Sequence, residues 1–232
     1  MEEISKIWLT GRFNPDERAD FSEVPLEMCD EVGHYLHLDA LKAWIELNDA
    51  AKKAGIQLQI VSSTRNFERQ KRIWENKWNG VTLTNGVNLS IMDYPSIERS
   101  TRILKYSAMP GSSRHHWGTD LDINSVEPEY FESPEGMMVY DWMNVHAQKF
   151  GFAQPYTAKS MKRRFGYEEE KWHWSYLPIS IKLTAAYPKL ISYDDYIGFD
   201  GAETAESMQV IDHFVLGISK TCLPSELWPK NV

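Results

Sequence analysis

The 232-residue sequence has no long apolar run, no internal repeat, no low-complexity tract and almost no cysteine. None of its stretches approaches the roughly 20 apolar residues of a membrane-spanning helix, so no membrane span is expected in this chain. Two cysteines, Cys29 and Cys222, are too few for a disulfide scaffold; they can pair once or remain two buried thiols. Positive charge is also short. Lys and Arg number 25 against 33 Asp and Glu, a formal net charge of −8. Nucleic-acid binding rests on neutralising phosphates, so no nucleic-acid partner is expected. A glycine-rich phosphate loop within a βαβ unit is missing as well. What is present is a globular composition, 42% hydrophobic and 12% aromatic. That excludes a disordered chain, a collagen-like fibre and a coiled-coil rod, and it can bury one sizeable core.

Hydrophobic periodicity places the elements. Leu38, Leu41, Ile45 and Leu47 space like one helix face, with Gly55 as the stop. Residues 57–62 alternate and predict a strand. A second helix is predicted over Phe67 to Trp78, capped by Asn66, with Gln70 the polar member of an apolar stripe. Residues 81–90 alternate around Asn85-Gly86, a strong hairpin signal and a candidate wall for a cleft. Further helices are expected over Ser96–Tyr106 and Pro134–Phe150, and further strands over residues 119–123 and 171–176. After Pro178 a long tail follows, with an amphipathic helix near Thr204–Leu216. Interleaved helices and strands predict an α+β fold with a mainly antiparallel central sheet. Residues 1–36 have no clear pattern.

Two clusters could carry chemistry. In the first, a turn delivers His115 and the following strand carries Asp120 and Asp122 on one face. Two carboxylates on one face of a short apolar strand need a cation, and a divalent metal supplies one. An edge strand with its polar face in water satisfies the pattern equally well. In the second cluster, Trp172, Trp174 and Tyr176 point to the core, and His173 and Ser175 point the other way. Glu170 has the wrong parity for that face, so the chain must bend between Glu170 and Trp172 if both groups reach one site. Glu168 and Glu169 form a solvated acidic run. Three protein ligands with an open position suit catalytic zinc, and a nearby glutamate can move protons. Arg65, at a strand-to-helix junction, is a candidate partner for a developing oxyanion. His116 is a rival ligand by proximity, although adjacent side chains on a turn rarely reach one ion.

These residues resemble the zinc D-alanyl-D-alanine carboxypeptidases of the VanY kind, which share a fold with VanX dipeptidases and the hedgehog signalling domain. The first motif, Ser-x-His with a later Gly and Asp, is Ser113, His115, Gly118 and Asp122. The second, Glu-x-Trp-His, is Glu170, Trp172 and His173. Ser62, Arg65 and Gln70 fit a third, and residues 141–152 look like the family helix that ends in Gly-Phe. The resemblance covers about residues 38–178, in order. It implies a hedgehog/DD-peptidase-like fold, one catalytic zinc held by His115, Asp122 and His173, and Glu170 as general base. Arg65 would stabilise the transition state or bind the substrate carboxylate, and Ser113 and Gln70 would line the substrate site.

The implied substrate is a peptidoglycan stem peptide losing its terminal D-alanine. L,D-carboxypeptidase and endopeptidase activity of the same fold, and a silent zinc module, are the alternatives. One domain is expected over 1–232, with segments 1–37 and 179–232 packed on the family-like core. The opening residues lack a secretory pattern. That leaves a cytoplasmic chain or a mature chain whose leader has been removed, and a cell-wall substrate implies the periplasm or cell envelope. The departures are Asp120, where the family often has Ala; Ser175, where it has Arg or a similar residue; and Thr64, where Tyr is usual. They are expected near the pocket, bearing on substrate preference.

Overall fold

The computed structural model describes residues 3–91 and 94–228. In chain order the elements are α1 (Lys6–Leu9), β1 (Phe21–Glu23), β2 (Tyr35–His37), α2 (Leu38–Lys53), β3 (Ile60–Ser62), α3 (Phe67–Trp78), α4 (Ser96–Ile103), β4 (Asp120–Ile123), α5 (Pro134–His146), β5 (Phe152–Ala153), β6 (His173–Tyr176) and α6 (Leu177–Leu190). Short 3-10 turns link them. The central sheet has the order β3-β4-β6-β5 and is antiparallel throughout, and β1 pairs with β2 in a small second sheet. This is the expected α+β fold.

The sheet separates two apolar layers. Leu121 and Ile123 of β4 join Trp172 and Trp174 against Leu41, Trp44 and Leu47 of α2 and Met143 of α5. A second layer gathers Phe67, Trp74 and Trp78 of α3 with Ile179, Leu183 and Tyr187 of α6. The even-numbered residues of β4 face away from the first layer, which leaves Asp120 and Asp122 for the site.

α3 spans the predicted residues, and the Asn66 side chain accepts the Arg69 backbone N–H as an N-cap. The buried face of α2 is rotated from the one expected. Trp44, Asn48 and Ala51 join Leu41 and Leu47 on it, whereas Leu38 is exposed and Ile45 half-buried. The strand predicted over 57–62 pairs only at Ile60–Ser62. The hairpin around Asn85-Gly86 shrinks to one bridge, Thr84 to Val87, although both turn residues keep the positive φ of such a turn. Its strands do not extend, because Val81 and Leu83 are exposed and find no layer to pack on.

The tail expected after Pro178 begins with α6. Pro178 sits in its first turn, where a missing N–H is harmless. The helix expected near Thr204–Leu216 is instead a 3-10 turn at Ala202–Thr204 and a π-helical turn at Val210–Val215. Cys29 and Cys222 are free thiols buried in different apolar layers, so the open pairing is not made.

Gly118 ends the turn that delivers His115. Its φ is +73°, and a Cβ there would collide with the Phe21 ring. Gly118→Ala is therefore expected to destabilise the fold by about 1–3 kcal/mol in urea unfolding. Wild-type stability in that variant would contradict the packing described.

Candidate active site

Register builds the site. β4 and β6 pair so that Asp122 lies opposite His173 and Asp120 opposite Ser175. Side chains on opposed residues share a face, so these four project together. β4 is an interior strand, and Asp120 and Asp122 are both buried. The edge-strand alternative is thereby excluded. His115 enters from the 3-10 turn Arg114–Trp117 that precedes β4.

Hydrogen bonds fix both imidazoles. His115 Nδ1 is 2.8 Å from the Ser63 carbonyl, which can only accept, so Nδ1 carries the proton. Nε2 then turns a lone pair toward Asp122 Oδ2, 3.3 Å away. His173 Nε2 donates to Asp120 Oδ2 at 3.0 Å. Its Nδ1 faces Asp122 Oδ1 at 3.1 Å and Glu170 Oε2 at 3.3 Å. Asp122 Oδ1 is buried without a hydrogen bond of good geometry. Lone pairs on His115, Asp122 and His173 thus converge within 4.8 Å of one another. Two imidazole nitrogens and a carboxylate facing inward suit a divalent cation such as zinc. These are the three residues expected from the sequence.

Electrostatics agree with that fit. Burial lowers the His115 pKa to about 4, helped by the Arg65 charge, so its imidazole is neutral. Burial also opposes a charge on His173, but Asp120, Asp122 and Glu170 outweigh it and raise its pKa well above the imidazole value, so a metal at Nδ1 would take the place of a proton there. The pocket seeks positive charge. For Asp122 burial works against ionisation, and the two histidines more than offset it.

Glu170 reaches the site through the demanded bend. Residues 171–172 form a turn, and the His173 N–H meets the Glu170 carbonyl at 3.3 Å. Burial pushes its carboxyl above the usual carboxylate range, against the pull of His173. A carboxyl poised upward in this way is suited to exchanging protons near neutral pH. Arg65 Nη1 bonds Ser62 Oγ at 3.1 Å and stands 4.0 Å from Asp122 Oδ2.

A cavity of about 510 Å³ opens over these groups, with Arg65, Ser113, Glu170 and the Leu83–Asn85 turn on its wall. The turn is the cleft wall the sequence suggested. Gln70 is placed differently. It is buried behind the wall, where its Nε2 donates to the carbonyl of the wall residue Ala108 at 2.8 Å. His116 is not a ligand: its Nδ1 bonds the Arg65 carbonyl at 2.6 Å and its Nε2 accepts from the Gly111 N–H at 3.0 Å.

Sequence reasoning missed the cation that compensates Asp120. It is Arg114, fully buried, whose Nε donates to Asp120 Oδ2 at 2.8 Å. Arg114 Nη2 also reaches Ser175 Oγ at 2.7 Å and Nη1 reaches Thr184 Oγ1 at 3.0 Å. Thr119 Oγ1 and Ser175 Oγ donate to Asp120 Oδ1. The available signal was an arginine on the turn directly before an acidic strand. Asp120 and Ser175 are therefore not on the cavity wall; they sit behind His173 and aim it.

An antiparallel sheet with a buried His–Asp–His donor set and an adjoining glutamate defines the DD-peptidase-like class. The chain belongs to the VanY D-alanyl-D-alanine carboxypeptidase family, whose sequence profile matches residues 33–179. It is 28% identical over 176 residues to YodJ of Bacillus subtilis, covering 73% of this chain and 56% of that protein. It is 26% identical over 152 residues to the D-alanyl-D-alanine carboxypeptidase of Enterococcus faecalis, covering 66% and 52%. The chain thus spans about half the length of these curated relatives. Among solved structures, a zinc complex of a glutamate-to-alanine mutant of the vancomycin resistance D,D-pentapeptidase VanY shares 25% identity at a TM-score of 0.50, covering 74% of this chain and 89% of that one. The LdcB LD-carboxypeptidase shares the fold, with 23% identity and a TM-score of 0.53 over 86% of this chain and 76% of that one.

Asp120→Asn is expected to weaken metal affinity by about 10–100-fold, as loss of a carboxylate behind a ligating histidine does. Chelator competition measures this, with thermal melting to check folding. Unchanged affinity in a folded variant would remove Asp120 from the metal centre.

Proposed function

We propose that the chain is a zinc-dependent D-alanyl-D-alanine carboxypeptidase that removes the terminal D-alanine of peptidoglycan stem peptides. The observation that carries this reading is the convergence of three inward lone pairs with Glu170 on the wall of one cavity. His115 through Nε2, His173 through Nδ1 and Asp122 through its carboxylate would hold the metal. When bound, zinc supplies a Lewis acid that polarises the scissile carbonyl and makes a water nucleophilic at neutral pH.

The chain's own groups do the rest. Glu170 takes the proton of the attacking water at its carboxylate and passes it to the nitrogen of the departing D-alanine. Arg65, anchored by Ser62, brings a positive charge to the same wall and offsets negative charge developing on the carbonyl oxygen. Ser113 faces the substrate, and Gln70 supports the wall through Ala108. Asp120 and Arg114 keep His173 in the required tautomer. The segments before and after the family-like core act with it as one domain. Among the described residues no helix is long and apolar enough to cross a membrane. The substrate class puts the working site in the cell envelope.

The test is mass spectrometry of a stem pentapeptide ending in D-Ala-D-Ala after incubation with the zinc-loaded protein. Loss of one alanine, abolished by a chelator, is expected. An intact pentapeptide would overturn the D,D specificity, and cleavage of a tetrapeptide instead would transfer the reading to L,D-carboxypeptidase activity. Glu170→Ala is expected to lower turnover by about 100-fold or more while metal content stays at the wild-type level. Full activity in that variant would remove Glu170 as the base.

A further inference from the structure

Two buried hydrogen-bond donors of cavity-lining residues have no partner among the described residues: Arg65 Nε and Thr84 Oγ1. Buried donors without partners are rare and point to an absent acceptor. A third donor stands with them. Lys77, on the cavity side of α3 one turn after Ile73, gives its Nζ only to the neutral Ser107 Oγ, at 2.6 Å. No carboxylate lies within 4.0 Å of it among the described residues, and the wall carboxylates Glu127 and Glu129 do not reach it.

The other cations of the wall are already engaged. Arg102 is taken by Glu98 at 2.8 Å and Arg114 by Asp120. Arg65 has a carboxylate only at 4.0 Å, and that carboxylate, Asp122, belongs to the metal donor set. Lys77 and Arg65 therefore share a wall on which Arg65 has only the distant Asp122 and, among the described residues, Lys77 has no carboxylate within 4.0 Å. They are close enough that the charge of Arg65, after burial, depresses the Lys77 ammonium. Like charges held together in partial burial are unfavourable unless a ligand brings the opposite charge.

We propose that Lys77 is the specificity-determining residue that recognises the free C-terminal carboxylate of the substrate, making the site an exopeptidase. A carboxylate offers the acceptors that Lys77, Arg65 and Thr84 lack. A peptide whose C-terminus is an amide, or which continues into a cross-link, would leave Lys77 without a carboxylate, so it is selected against. Lys77 does not touch the reacting carbonyl; it fixes where the chain end lies. This inference rests on the carboxypeptidase reading and names the feature that separates exo- from endopeptidase action.

The experiment compares a D-Ala-D-Ala-terminated pentapeptide with its C-terminal amide, in wild type, Lys77→Met and Lys77→Arg. Wild type is expected to prefer the acid. Lys77→Met keeps the aliphatic stem and is expected to raise KM for the acid by about 10–100-fold, with kcat nearly unchanged and KM for the amide unmoved. Lys77→Arg should restore the preference. An unchanged KM for the acid in Lys77→Met, or an equal rise for acid and amide, overturns the inference. Equilibrium binding of the D-Ala-D-Ala dipeptide and its amide to Glu170→Ala protein, with and without Lys77→Met, reads the same discrimination without turnover. Acid preference there that disappears with Lys77→Met supports the inference even if wild type cleaves nothing, in which case only the proposed function fails. Equal affinity for acid and amide with Lys77 intact overturns the inference even if cleavage is found.

Discussion

The pairing of β4 with β6 controls everything built on top of it. It sets Asp122 opposite His173 and Asp120 opposite Ser175, and it sends Leu121 and Trp174 into the apolar layer beneath. A slip of one residue would reverse every one of these directions. The tryptophans make that slip costly. Trp172 and Trp174 are both nearly buried, and neither could be accommodated among carboxylates. Hydrophobic packing on one face of the sheet thus enforces the arrangement of charges on the other.

Those charges are expensive to bury, and the structure compensates them in two different ways. Asp120 is fully satisfied inside the protein by Arg114, Thr119, Ser175 and His173. Asp122, two residues on, keeps an oxygen without a hydrogen bond and meets its only arginine at 4.0 Å. Desolvated ion pairs of the first kind hold geometry more than they add stability. The incomplete set around Asp122 is what a cation would complete. Adjacent positions on one strand face therefore differ in kind, one internally neutralised and the other left open.

Much of this was legible in the sequence. The two clusters around His115 and His173 pointed to a possible metal site, the family resemblance implied His115, Asp122, His173 and Glu170 within them, and strand parity exposed the need for a bend after Glu170. Asn66 and the apolar stripe of α3 marked that helix at both ends. What failed to show has physical reasons. Alternation at 81–90 looked like a hairpin, but period-two patterning does not reveal whether a layer exists to receive the apolar side. Pro178 looked like the start of a tail whose helix lay only near Thr204–Leu216, although a proline in a first turn begins a helix as readily as it ends a strand. The pairing of Arg114 with Asp120 follows from a three-dimensional turn, and no one-dimensional spacing rule encodes it. Gln70 had the right spacing for the site, and only the Ala108 carbonyl shows that it faces the wall from behind.

The departures at Asp120 and Ser175 prove to be one feature with Arg114, and that feature has roots outside the family-like core. Arg114 leans on Thr184, Ser175 Oγ lies 2.9 Å from Ser180 Oγ, and Tyr187 Oη donates to the Gly111 carbonyl at the head of the His115 turn. Ser180, Thr184 and Tyr187 belong to α6, beyond residue 179 where the family profile stops. Positions 114, 120, 175, 180 and 184 are consequently free to drift only as a set. A boundary drawn where sequence similarity fades would cut through the foundation of the candidate metal site, and a homologue grafted at that boundary would inherit the His–Asp–His set without the residues that aim it.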